Sequence, residues 1–212
     1  TLTKQMDEER KESTDRLRKA LGCIIQATAV TVEVRDPYTA GHQRRVADLA
    51  RTIATEMGLS ADRIDGLRLA SMIHDVGKIA IPAEILSKPT KLAKVEFSLI
   101  KRHVQAGYDI LKDIDFPWPI ARMVLEHHER VDGSGYPNGI TGKDMLTESW
   151  ILGVADVVEA IASNRPYRPA HTLEMALNEI STYRNTLYDP DVVDCCLGLF
   201  KGNGYRLEHA FR

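Results

Sequence analysis

The chain has 212 residues, 43% of them hydrophobic, and a formal net charge of −2 from 28 Lys plus Arg against 30 Asp plus Glu. These figures exclude a disordered chain and point to one large domain, or one domain with an appendage, able to fold without disulfides. Near-neutral charge gives no footprint for nucleic acid or an anionic membrane, no apolar run approaches the ~18 residues of a membrane helix, and no signal-peptide pattern opens the sequence.

Thr1, not Met, comes first, so a longer protein is expected. Residues 1–22 are rich in Lys, Arg, Asp and Glu with sparse apolar positions (Leu2, Met6, Leu17, Leu21), and an apolar stretch follows from Cys23 to Val34. They read either as a solvated helix leading into a domain or as a dimerising coiled-coil linker. The linker is expected over 1–29 and the domain over 30–212. Asp36-Pro37 breaks the helix. Residues 40–57 place His42, Val46, Leu49, Ala50, Ile53 and Met57 on one stripe. Gly58 ends it, and Ser60 caps a helix over 61–74 with Ile64, Leu67, Ala70, Ser71 and His74 on one face. A short helix from Pro82 to Leu86 and a longer one over 93–112, carrying Ile100, His103 and Val104, come next. Residues 118–128 align Ile120, Met123, Val124, His127 and His128. Four glycines and a proline make 129–147 a loop, and Glu148–Ser163, apolar nearly all round, is a buried helix. Helices over 172–184 and 190–200 complete an all-α domain. Three cysteines, Cys23 and the adjacent Cys195 and Cys196, form no disulfide framework or CxxC zinc site and point to a reducing cytoplasm.

Four of these stripes contain or end in histidine. Burying His42, His74, His103, His127 and His128 without a shared partner would be expensive, because each ring carries polar nitrogens that need satisfying. A metal centre resolves the cost, since neutral imidazole ligates divalent transition metals. Asp75 directly follows His74, and Asp156 and Glu159 are the only charges inside the helix from Trp150 to Ala162. Five histidines and two aspartates exceed one four-coordinate site and suit two ions. His42, His74, Asp75 and Asp156 are assigned to one and His103, His127 and His128 to the other, with Asp75 bridging.

His74-Asp75, with His42 upstream and Asp156 downstream, resembles the HD phosphohydrolase pattern. The string His127-His128-Glu129-Arg130-Val131-Asp132-Gly133-Ser134-Gly135-Tyr136-Pro137 is more specific and matches the HHExxDGxGYP signature of the HD-GYP subfamily. Arg35–His42, His74–Ile79 and Asn164–Pro169 match further blocks of that family, in its order, over about residues 30–195. The resemblance implies an HD-domain helical bundle and a cytoplasmic phosphodiesterase that converts the bacterial second messenger cyclic di-GMP to linear pGpG and sometimes GMP. It implies two or three metals, commonly iron or manganese. Three-metal members carry a glutamate four residues before the first ligand histidine; Tyr38 stands there, which favours two metals. Glu159 stands where the family more often shows Asp.

The expected chemistry is in-line attack on phosphorus by a hydroxide shared between two ions roughly 3.5–4 Å apart. Lys78 is either a solvated loop lysine or a cation that stabilises the phosphate beside Asp75. With the resemblance, Arg165 and Arg168 are expected to hold substrate phosphates through bidentate donors. Tyr136, in the glycine-rich loop, contacts substrate or presents a surface to a partner protein, and Glu129 orients a histidine. His171 and His209 are read as surface residues. An upstream sensory or receiver domain is expected, with a homodimer through the N-terminal helix. Two other readings stay open: a module that senses a cyclic dinucleotide without turnover, and an HD phosphohydrolase acting on another nucleotide.

Overall fold

The computed structural model describes residues 2–35, 41–163, 172–202 and 204–207. Among them the architecture is all-α, with no strand beyond an isolated bridge between Arg184 and Tyr188. No helix of the described residues is long and apolar enough to cross a membrane.

Helix α1 (Leu2–Arg35) runs unbroken across residue 29, where the linker was expected to give way to the domain. Its buried residues Ile25, Ala29 and Val32 fall at i, i+4 and i+7, one stripe. That stripe packs on α3 (Ala61–Ile73) and on a 3₁₀ turn at Val76–Ala80, to which Arg35 also donates through Nη1 to the Ile79 carbonyl at 2.7 Å. Ile24, Val30 and Val34 on the same helix are exposed.

Helix α2 (His42–Glu56) packs against α3 and α8 (Thr147–Ala162). The main core joins these to α9 (Leu173–Thr182) and α10 (Pro190–Lys201) around Leu49, Ile53, Leu67, Ile151, Leu152, Ile180 and Val192. Local signals start these helices. Ser60 and Thr172 accept from backbone N–H groups three residues on, and Asp189 caps α10 with Pro190 at its first position. Cys196 is buried in this core.

A second core gathers α1, α3, α6 (His103–Leu111) and α7 (Ile120–Glu126) around Ile73, Ile120, Met123 and Val124. The helix expected over 93–112 is two: α5 (Lys94–Lys101) and α6, preceded by the short α4 (Ala83–Leu86). They part at Arg102, whose N–H reaches Leu99 three residues back, a 3₁₀ step that resets the helix just before His103. The ends of α7 and α8 are tied together by buried Glu126, whose Oε2 accepts from Leu146 N at 3.0 Å and Ser149 Oγ at 2.8 Å.

Candidate metal centre

All seven expected ligands come together where helix ends meet. His42 opens α2; His74 and Asp75 follow α3; His103 opens α6; His127 and His128 follow α7; Asp156 sits in the middle of α8. Three groups have ligand atoms within 4.8 Å of one another: His103–His127–His128, His42–His74–Asp75, and His74–His127–Asp156. The rings form a chain, with centroid separations of 5.4 Å for His42–His74, 5.1 Å for His74–His127, 5.5 Å for His103–His127 and 4.1 Å for His127–His128.

Three rings are aimed by the helix that ends just before them. His74 Nδ1 donates to Ser71 O at 2.8 Å, His103 Nδ1 to Ile100 O at 2.8 Å, and His127 Nδ1 to Val124 O at 2.6 Å. Each acceptor is a carbonyl in the last turn of a helix, where intrahelical amide donors run out. Placing the proton on Nδ1 leaves the Nε2 lone pair for the cluster. The Nε2 atoms of His103 and His127 are buried with no hydrogen-bond partner. Such an atom costs roughly 1–3 kcal/mol, and a cation that accepts its lone pair removes the cost. Neutral nitrogens facing carboxylates fit a divalent ion, so the cluster can hold metal.

Asp75 lies at the centre: Oδ1 is 3.5 Å from His103 Nε2, and Oδ2 is 3.6 Å from His74 Nε2 and 2.7 Å from Lys78 Nζ. Lys78 reaches it because residues i and i+3 eclipse in a 3₁₀ turn. Its side chain is only 12% exposed, so it is not a solvated loop lysine. Burial would raise the pKa of Asp75, but Lys78, His74 and His103 hold it well below the usual carboxylate range. Burial works against charge on His42, yet Glu159 and Asp156 raise its pKa to about 9. Burial and the neighbouring rings His74 and His103 depress His127 to about 3, and burial lowers His103 and His128 too.

These directions set the pH response of the metal-free chain. Below the ordinary histidine pKa of about 6.5 the unfolded chain takes protons that His103, His127 and His128 refuse, so stability falls as pH drops, by at most about 1.4 kcal/mol per histidine per pH unit. His42 works oppositely, but its contribution is fully present below about 6.5 and is lost only as pH rises through about 9. The lowered carboxylates Asp75, Asp156 and Glu159 act only as their unfolded forms titrate, near pH 4. Metal-stripped protein is therefore expected to unfold at lower urea at pH 5.5 than at pH 7; an unchanged or higher midpoint would contradict it.

The glycine-rich loop closes over this cluster. Tyr136 stacks on His128 with centroids 4.8 Å apart, its N–H donates to His128 O at 3.2 Å, and Lys101 Nζ sits 4.7 Å from its ring. A Cβ on Gly135 would lie 2.4 Å from Glu129 Cα, so only glycine fits beneath the loop. Glu129 corrects an expectation: rather than orienting a histidine, its Oε1 accepts from Asn138 N at 2.7 Å and Gly139 N at 3.2 Å, anchoring the loop. Tyr38, Arg165, Arg168, His171 and His209 lie outside the described residues. Lys101 escaped the sequence reading, although it lies two residues before His103. Arg45 did too; its signal was a charge at i+3 from His42, beside Val46 on the stripe.

The HD domain family model matches residues 27–192. Among curated relatives, the chain is 39% identical over 188 residues to "Cyclic di-GMP phosphodiesterase response regulator RpfG" of Xanthomonas campestris, covering 88% of this chain and 49% of that protein. It is 38% identical over 172 residues to "3'3'-cGAMP-specific phosphodiesterase 3" of Vibrio cholerae, covering 81% of this chain and 37% of that one. The chain thus spans half or less of the length of these relatives. A solved HD-GYP-type protein from Bdellovibrio bacteriovorus, Bd1817, shares the fold, with TM-score 0.63, 18% identity, and coverage of 76% of this chain and 52% of that one. With the family model spanning most of its length and the helix-end histidines gathered as described, the chain belongs to the HD-domain family and carries the Gly-Tyr-Pro string of its HD-GYP members.

Proposed function

We propose that the chain is a metal-dependent phosphodiesterase that opens cyclic di-GMP to linear pGpG. The observation that carries this reading is the abutment of two ligand groups, His103–His127–His128 and His42–His74–Asp75, in one buried cluster with unpartnered inward nitrogens on His103 and His127. Two divalent ions held there would supply an activated water and a Lewis-acid clamp on phosphoryl oxygens. The protein's own groups do the rest. Helix-end carbonyls keep three rings in the ligating tautomer, and Asp75, between the two groups, serves both. Lys78 brings a cation beside the position where charge accumulates on the phosphate. Arg165 and Arg168 hold phosphates, and Tyr136, already stacked over His128, contacts the substrate. Water oxygen joins phosphorus, the P–O3′ bond breaks, and the freed 3′-oxygen takes a proton, leaving a 5′-phosphate.

Iron or manganese is the proposed metal, two ions rather than three because Tyr38 offers a neutral phenol. A cytoplasmic location fits a nucleotide messenger and the free cysteines among the described residues. Exposed Ile24, Val30 and Val34 on α1 support a homodimer through that helix, and the response-regulator name of one relative supports an upstream receiver domain. The Gly-Tyr-Pro loop is the proposed face for a protein partner.

The similarity to a 3'3'-cGAMP-specific enzyme favours a second reading, in which the mixed cyclic dinucleotide is the substrate. The test is incubation of Mn²⁺-loaded and chelator-treated protein with each dinucleotide, with products separated by chromatography. The loaded protein is expected to yield pGpG and the treated protein nothing. Cleavage of the mixed dinucleotide alone would select the second reading, and binding without any linear product would overturn the enzyme assignment.

A further inference from the structure

Glu159 lies one turn beyond Asp156 on α8 and is 1% exposed, yet none of the three ligand groups includes it. Its two oxygens have separate duties. Oε1 accepts from Arg45 Nε at 2.6 Å and from Ser163 Oγ at 2.6 Å, whereas Oε2 faces His42 Nδ1 in a short contact. Arg45 is itself buried and can only donate. A carboxylate held this way can only accept from His42, so the neutral ring keeps its proton on Nδ1 and presents the Nε2 lone pair. That Nε2 lies 3.2 Å from Asp156 Oδ1, on the cluster side of the ring. His42 is the one histidine of its group whose tautomer is not set by a backbone carbonyl of its own helix, since it opens α2 instead of ending a helix.

We infer that Arg45 and Glu159 act as a positioning pair that selects the ligating tautomer of His42 and so sets the metal affinity of the group to which His42 belongs. The inference rests on the metal reading above. It leads to a specific consequence for an amide at position 159. Arg45 Nε–H requires an oxygen at the Oε1 position, so the side chain of Glu159→Gln must turn its NH₂ toward His42 Nδ1. The ring then accepts at Nδ1, its proton moves to Nε2, and the ligating lone pair is lost. Removing Arg45 as well frees the amide to rotate, because the Ser163 hydroxyl can accept as readily as it donates.

The experiment is calorimetric titration of metal-stripped protein with Mn²⁺, combined with ¹⁵N NMR of the His42 tautomer in the metal-free chain, recorded above pH 9, where the ring is neutral. Glu159→Gln is expected to weaken one of the Mn²⁺ sites by about 10–100-fold, the range for lost partners of ligand histidines, and to move the His42 proton to Nε2. Arg45→Met combined with Glu159→Gln is expected to regain most of the affinity and the Nδ1–H pattern. If Glu159→Gln does not fold, Glu159→Asp is read instead: it keeps the charge but is one methylene too short to span from Arg45 to His42, and the same loss is expected. Wild-type affinity with the Nδ1–H pattern in Glu159→Gln would overturn the pairing, as would a double variant no better than the single one. A wild-type chain that takes up no Mn²⁺ would instead overturn the metal reading itself.

Discussion

Asp75→Asn is expected to reduce cyclic dinucleotide turnover by about 10³-fold or more and to lower the metal bound per chain. The carboxylate faces His103 from one oxygen and His74 from the other, so it is the group through which the two ligand sets touch. An amide keeps the size but loses the charge that compensates a divalent ion, and it presents an NH₂ to one of those histidines or to Lys78, which sits 2.7 Å from Oδ2. Charge stabilisation by a metal amounts to several kcal/mol, and at about 1.4 kcal/mol per factor of ten a loss of roughly 4 kcal/mol gives the thousandfold effect. Steady-state rates on Mn²⁺-loaded protein, with metal content measured on the same sample, decide the matter. A variant within tenfold of wild type would remove Asp75 from the centre of the proposed mechanism.

Gly77→Ala has the largest expected effect on stability. A Cβ there would lie 1.9 Å from His103 O and 2.4 Å from Gly107 N, both backbone atoms, so nothing flexible can give way. Overpacking of side chains costs typically 1–3 kcal/mol; here the 3₁₀ turn and α6 must separate, and about 3 kcal/mol or more is expected. For a chain of this size that corresponds to a fall in Tm of roughly 6–12 °C. The same displacement carries His103 away from Asp75, so metal affinity should fall with stability. Gly198→Ala is the matched control: it is helical, meets nothing within 4 Å, and is expected to stabilise by ~0.5–1 kcal/mol. Thermal unfolding of both variants, metal-free, tests the contrast, and equal Tm values for Gly77→Ala and wild type would refute the account.

What could be read from the residues alone follows from which interactions are local. His42, His74, His103 and His127 continue apolar stripes, and a stripe is a statement about one helix face, so their turning toward a common core is legible in the sequence. Asp156 was legible for the same reason, as a charge inside an apolar helix. The split between α5 and α6 was not, because Arg102 keeps helical torsions and differs only in donating its N–H three residues back, to Leu99 O. Nor was the task of Glu129: its place beside His128 suggested a histidine partner, whereas the loop folds back from Asn138 and Gly139, nine and ten residues on, to claim its oxygen. The crossing at Gly77 and the division of Glu159 between Arg45 and His42 join elements far apart in sequence, and no spacing rule encodes such pairs.

The ring nitrogens of His74, His103 and His127 each occupy a carbonyl in the last turn of α3, α5 and α7. Helix termination and ligand aim are therefore one variable. Fraying a last turn releases the carbonyl, the ring and the tautomer together, and, through linkage, a bound ion must tighten the same turn by the free energy that fraying would cost in binding. Three short helix ends thus convert local order into metal affinity, and a disturbance that loosens any of them, however far from the cluster it begins, reaches the ligands.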